Sequence, residues 1–305
     1  MHITFEQAYN QYLKYIENRL KEQSIRSLKD KFKNHILPYF RDKNIYEIKE
    51  VDYIDFQNYV ESEGYSYNTM KNIHFILSGF FNYLVSFYNL PNNIIKKVGC
   101  FKFKNRKCKE HDFYTLKEFK SFIKCVDEYV YKQFFNLMFY TGTRPGEAMA
   151  LKFSDLSYRM ININKTIDEH GSRTIGTPKT QSSYRNIFID KKLYKDLLKL
   201  KKCYQEEYKN NDYDYFIFGG MKPLSPTSIN RRKEKACNLA NIRKIKLHEF
   251  RHSHATLLLN KGIVIHDISK RLGHSDVSTT LNIYTHSIDK QQKRVTRTLN
   301  LLRLF

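Results

Sequence analysis

Leu247-His-Glu-Phe-Arg-His252, followed by Leu272-Gly-His274 and then by Tyr284, is the stretch on which the reading of this chain turns. His248 and Arg251 stand three residues apart, so on a helix they share one face. The residue types belong to chemistry at phosphate. An arginine fork binds non-bridging oxygens bidentately and stays charged at any working pH. Histidine moves protons near neutrality. A tyrosine hydroxyl, with a reference pKa near 10, can attack only if its proton and the developing charge are both managed.

The same residues also spell His248-Glu-Phe-Arg-His252, the H-E-x-x-H helix signature of zinc peptidases. That site needs a third protein ligand. The extended form with Gly and then His fails, because Ala255 and Leu258 occupy those places, and Glu249 is the last glutamate in the chain. Asp267, His266 and His274 remain as ligands by composition alone. A net charge of +22 speaks against a peptidase, and the expectation is no metal and no cofactor.

Upstream, Thr141-Gly-Thr-Arg-Pro-Gly-Glu147 supplies a second arginine, Arg144, with Glu147 three residues on as its buttress. Alone, Arg144 reads as a helix-end charge near the carbonyls before Gly142. Between 158 and 190 the pattern changes from helical to short strands. Met160-Ile-Asn-Ile163, Thr174-Ile175 and Arg185-Asn-Ile-Phe-Ile189 are joined by turns at Gly171, Gly176 and Pro178. Helical periodicity returns at 191–208, 226–240, 248–261, 265–272 and 276–286. The first hundred residues are helical throughout. A T-x-x-Q capping box at Thr4–Gln7 opens periodic stretches that recur near 25–40, 50–62 and 67–88, where Pro91 stops the last. A second box, Thr115–Glu118, opens the next domain. The expected organisation is a helical domain at 1–98, a basic linker at 99–112 and a second domain at 113–305. The fold class is mainly α with a small antiparallel β-sheet.

Charge follows the same division. Residues 1–98 hold 13 basic and 11 acidic side chains, residues 99–112 hold 5 and 2, and residues 113–305 hold 35 and 18. The last segment therefore carries most of the excess and should dominate salt-sensitive attraction to phosphates. Lys102, Lys104, Arg106 and Lys107 in the linker, and Arg231, Arg232 and Lys233, are candidates for backbone contacts, which carry no sequence information. With 41% hydrophobic residues the chain is no disordered tail, and no apolar run reaches the ~18 residues of a membrane span. Five cysteines without a C-x-x-C pair, and an N-terminus without signal-peptide layout, fit a reducing cytoplasm.

The stretch from 141 to 286 closely resembles the tyrosine recombinase (phage integrase) family, whose catalytic domain carries Arg…Lys…His-x-x-Arg…His/Trp…Tyr. The matches are Thr-Gly-x-Arg-x-x-Glu at 141–147, His-x-x-Arg at 248–251, Leu-Gly-His at 272–274, and Tyr284-Thr-His286. The resemblance covers 113–290 strongly and 1–98 more loosely, as the family's core-binding domain. It implies a helical DNA-clamping domain before the catalytic one and a site made of Arg144, Lys179, His248, Arg251, His274 and Tyr284. Lys179, in Thr177-Pro-Lys-Thr-Gln-Ser-Ser-Tyr-Arg185, would protonate the leaving 5′ oxygen, with Lys165 as the alternative. The resemblance further implies double-stranded DNA with inverted-repeat core sites, a homotetramer on DNA, and a directionality factor or host DNA-bending protein as partners. The apolar tail from Leu299 to Phe305 is expected to pack on a neighbouring protomer. Integrase of a mobile element is the leading function. Chromosome-dimer resolvase, invertase and a non-catalytic DNA-binding protein are the alternatives.

Overall fold

The computed structural model describes residues 2–102, 112–168, 174–178 and 180–277. The chain forms two compact units, divided between residues 108 and 109.

In the first unit, α1 (Phe5–Glu17), α2 (Glu22–Lys31), α3 (Leu37–Phe40), α4 (Glu50–Ser62), α5 (Tyr67–Tyr88) and α6 (Ile94–Val98) surround an aromatic core. The Thr4 hydroxyl accepts from the Gln7 amide at 3.2 Å, and the Gln7 side chain accepts from the Thr4 amide at 3.0 Å, so the capping box forms reciprocally. Phe5 stacks on Phe40 at 5.2 Å and Tyr9 on Phe32 at 4.2 Å, while Phe80 of α5 meets Phe5 edge-on. The periodic stretch 25–40 is divided by a π-helical turn, Phe32–Ile36. Pro38 lacks an amide hydrogen and its ring crowds the carbonyl one turn back, and the widened turn relieves that conflict. Helix α5 ends before Pro91, at Asn89, whose left-handed φ of 54° this residue type tolerates.

In the second unit, α7 (Leu116–Lys124), α8 (Tyr129–Thr141) and the short α9 (Pro145–Ala150) precede the strands. Strands β1 (Leu156–Ser157), β2 (Met160–Ile163) and β5 (Arg185–Phe188) make an antiparallel sheet with β2 central, and β3 (Thr166–Ile167) pairs with β4 (Ile175–Gly176). Ile161 faces Ile187 in the β2–β5 register and both are buried. Helices α10 (Lys191–Tyr208), α11 (Pro226–Leu239), α12 (Glu249–Asn260) and α13 (Ile265–Leu272) follow. Phe250 of α12 stacks on Phe135 of α8 at 5.4 Å, and Phe119 of α7 on Phe139 at 3.7 Å. The first contact packs α8 against α12, the two helices whose ends carry the arginine motifs, and the second packs α7 against α8. The expected strands at 160–163 and 185–189 are present. The two-residue strands β1 and β3 and the six-residue α9 were not anticipated, because segments that short show no period.

Candidate active site

The break after α8 begins the site. Gly142 caps the helix with φ of 69°, and a β-carbon there would stand 2.6 Å from Leu272 Cδ2 and 2.7 Å from His254 Cδ2. Only glycine meets both demands. The chain then turns into α9, with Arg144 at the N-cap and Pro145 in the first turn, where a missing amide hydrogen costs nothing. Glu147 in that turn accepts from the Arg144 amide through Oε2 at 2.9 Å and from Arg144 Nη1 through Oε1 at 2.8 Å. Arg144 Nη2 reaches the Gly273 carbonyl and Nη1 the Ser183 hydroxyl, both at 3.4 Å. These contacts, not the carbonyls before Gly142, hold the side chain.

Arg251 comes from the first turn of α12 and is 1% exposed, among the largest fully buried side chains of the protein. Its Nη1 donates to the Gly142 carbonyl at 2.9 Å. The two glycines therefore work crosswise. The Gly142 carbonyl, in the motif that carries Arg144, holds Arg251. The Gly273 carbonyl, in the motif that carries His274, holds Arg144. Gly273 also has a left-handed φ, 73°, and a β-carbon on it would meet Ser182 O at 2.8 Å.

His274 follows directly and is half-buried. Burial, then the charges of Arg251, Arg144, His248 and Arg185, push its imidazole down to about 4. It is a neutral ring at pH 7, able to give an N–H to a phosphate oxygen. His248 is exposed at the N-terminus of α12, and its ring lies edge-on to His252 with centroids 5.3 Å apart. Among the described residues no group of three or more His, Cys, Asp or Glu stands in a metal-holding arrangement, and the Glu249 carboxylate accepts from the Lys246 amide.

Several members of the site escaped sequence reasoning. Arg185 Nη2 donates to Glu147 Oε2 at 2.9 Å and Nη1 to Oε1 at 3.1 Å, so Glu147 lies between two guanidinium groups. Burial opposes ionisation of Glu147, but the Arg185 hydrogen bonds and the charges of Arg185 and Arg144 outweigh it and bring the carboxyl down to about 2. Arg271 Nε donates to His254 Nε2 at 3.1 Å. Because arginine only donates, His254 must carry its proton on Nδ1, which stands 2.9 Å from the Phe139 carbonyl. The signal for Arg185 lay in strand alternation: residues 185, 187 and 189 share one face, and Ile187 and Ile189 are buried on it. An arginine on an inward face needs a buried carboxylate.

Lys165 is held by Asp155, with Nζ 2.6 Å from Oδ2. Lys179 and Tyr284 lie outside the described residues, as do Lys104, Arg106 and Lys107 of the linker and the tail from 299 to 305. Of the basic run on α11, Arg231 alone remains an exposed candidate for phosphate. Arg232 pairs with Glu128, and Lys233 is buried, with its Nζ on Asn230 Oδ1 at 3.1 Å. The position of α11 against the core takes those two side chains out of the expected role.

Both units resemble known proteins. Residues 113–291 match the phage integrase family, and residues 4–60 the N-terminal SAM-like domain of phage integrases. The chain is 33% identical over 275 residues to the ICEBs1 integrase of Bacillus subtilis, covering 86% of this chain and 73% of that protein. It is 29% identical over 299 residues to a XerC-like tyrosine recombinase of Caldanaerobacter subterraneus, covering 88% and 76% of the two chains. Among solved structures, the integrase of transposon Tn1549 in complex with transposon right end DNA superposes with a TM-score of 0.78, at 20% identity over 96% of this chain and all of that one. A lambda integrase dimer bound to a core site gives 0.69, at 18% identity over 92% and 95% of the two chains. The chain thus belongs to the phage integrase family of tyrosine recombinases, enzymes of site-specific recombination that cleave DNA strands and rejoin them.

Proposed function

We propose that Tyr284 is the nucleophile of strand cleavage and that Arg144 and Arg251 clamp the scissile phosphate for it. The Tyr284 oxygen attacks phosphorus, its proton passes to His248, and the bond to the 5′ oxygen breaks. Lys179 protonates that oxygen, leaving a 3′-phosphotyrosine and a free 5′-hydroxyl. The link conserves the phosphodiester bond, so a second 5′-hydroxyl reseals it without ATP. His274 donates a hydrogen bond to a non-bridging oxygen, and the two arginines meet the charge of the transition state in place of a metal ion. The observation that carries this reading is the crosswise anchoring of Arg144 and Arg251. It fixes two arginines, 107 positions apart in sequence, around one half-buried neutral histidine.

Integration and excision of a mobile element is the process that fits best. Similar proteins include, besides the ICEBs1 integrase, the integrase of Staphylococcus phage L54a and transposase A of transposon Tn554. A lambda integrase tetramer bound to a Holliday junction has the same fold, and a homotetramer on paired core sites is the assembly proposed for this chain. The work would be done in the cytoplasm by residues 113–305, with 1–98 closing on the duplex and 99–112 as the tether.

The test can be run before any target sequence has been identified. The protein and Tyr284→Phe are incubated with sheared genomic DNA of the host without divalent metal, then denatured, and protein-linked fragments are sequenced. Adducts clustered at one inverted-repeat sequence and absent with Tyr284→Phe are expected. Equal recovery with the variant would overturn the assignment of Tyr284.

A further inference from the structure

We propose that Arg185 is a positioning residue: by sharing the Glu147 carboxylate, it keeps Arg144 from being neutralised and drawn inward, so that Arg144 presents its charge to an oxyanion. The inference rests on the reading of Arg144 as a phosphate clamp.

The hydrogen bonds of this cluster are unequally distributed. Glu147 is 2% exposed and takes four donors. Oε1 accepts from Arg144 Nη1 and Arg185 Nη1, and Oε2 accepts from Arg185 Nη2 and the Arg144 amide. Arg185 faces the carboxylate with its whole fork, and its side chain is 7% exposed. Its Nε donates to the Arg271 carbonyl at 2.8 Å, and Nη1 also reaches the Ser183 carbonyl at 2.9 Å. Arg144 gives Glu147 a single guanidinium nitrogen, its side chain is 32% exposed, and its other two contacts are long at 3.4 Å. Contacts of that length orient the fork without saturating its five donors, so an incoming anion can still engage it.

The charge sum makes the same point. Arg144, Glu147 and Arg185 together carry one positive charge. Without Arg185 the sum is zero, and the only guanidinium left to satisfy a buried carboxylate is that of Arg144. A bidentate Arg144–Glu147 pair would then form, the favoured geometry of these two groups, and it would point the fork away from substrate. Arg185 also joins the Ser183 turn, four residues after Lys179, to the end of α13 just before His274.

A tetrahedral oxyanion tests this without relying on the tyrosine. Tungstate binding is measured by calorimetry on the full chain, taking the component that Arg144→Gln abolishes. Arg185→Met should weaken that component about tenfold, the loss of one charge-assisted interaction. Glu147→Gln combined with Arg185→Met restores the single positive charge and should return binding to within about threefold of the unaltered protein. The double variant removes the buried carboxylate together with its counter-charge, so it should fold even where Arg185→Met does not. Arg185→Lys, which keeps the charge and loses the fork, should fall between the unaltered protein and Arg185→Met. The proposal is overturned if the double variant binds no better than Arg185→Met, if Arg185→Met binds like the unaltered protein, or if Arg144→Gln abolishes nothing. Should the tungstate pattern hold while no Tyr284-dependent DNA adduct forms, Arg185 is supported and the nucleophile assignment is what fails.

Discussion

His254 shows how much a single buried side chain decides. Its ring lies between an arginine that can only donate and the Phe139 carbonyl, and burial, with Arg271 and Arg251 adding to it, brings it down to about 3. The unfolded chain takes up a proton there from its ordinary value of 6.5 downward, whereas the folded chain refuses it until about 3. Stability must therefore fall as pH drops through that window, by at most about 1.4 kcal/mol per pH unit from this group. His274 shifts the same way, with a smaller effect because it is half exposed. Glu147 adds its own loss only below its ordinary 4.5, as the pH approaches about 2, since its stabilisation is complete above that. Melting temperatures between pH 7 and pH 5 should decline in the unaltered protein and decline less in His254→Gln. An equal decline in both would show that the ring is protonated without penalty. The sequence made Arg144, His248, Arg251 and His274 legible because each stands in a spaced motif. His254 and Arg271 stand 17 residues apart with no motif between them, and only the packing of α12 against α13 makes them partners.

At the scale of elements, short pieces do the positioning and the long ones supply the platform. Helices α5, α10 and α11, of 14 to 22 residues, were readable from their apolar period, whereas the six residues of α9, which holds Glu147 and has Arg144 at its N-cap, are all buried. No amphipathic pattern can appear in a helix without a solvent face, so its existence could not be inferred from periodicity. Left-handed glycines end the platforms, and their effect separates cleanly into backbone and steric parts. Gly64 and Gly273 have nearly the same φ, 71° and 73°, but a β-carbon on Gly64 meets nothing within 4 Å. On Gly273 it would stand 2.8 Å from Ser182 O and 3.0 Å from Arg185 Cδ. Gly64→Ala should cost about 1 kcal/mol, the penalty of a left-handed alanine. Gly273→Ala should cost about 1–3 kcal/mol, because strain and clash add. It should also slow formation of the DNA adduct, since the displaced carbonyl is the one Arg144 uses. Denaturant melts and adduct rates on the two variants check this. A Gly273→Ala protein that cleaves at the rate of Gly64→Ala would mean that the carbonyl contact does not set the arginine.

For the whole molecule the question is where its charge acts. Each unit has its own hydrophobic cluster, one built on Phe5, Phe32, Phe56 and Phe80, the other on Phe119, Phe135, Met138 and Phe250. Units with separate cores can fold separately. Residues 1–98 carry a net +2 and residues 113–305 a net +17, and ion pairs within the second unit leave that excess standing, because each pair cancels one charge of either sign. Arg144 and Arg185 serve Glu147, Lys165 serves Asp155, and Lys235 serves Asp127. Even after those pairs, the second unit keeps a large positive excess. Among the described residues no helix is long and apolar enough to cross a membrane. Counterion release makes the logarithm of DNA affinity fall linearly with the logarithm of salt, by about 0.9 for each phosphate neutralised. If the excess faces phosphate, a fragment of residues 109–305 should show nearly the full-length salt slope on a non-cognate duplex. A fragment of 1–108 should show a shallow one, and Tyr284→Phe should leave the full-length slope unchanged because cleavage contributes nothing to it. Equal slopes for the two fragments would mean that local patches, and not the net charge of the units, govern the attraction.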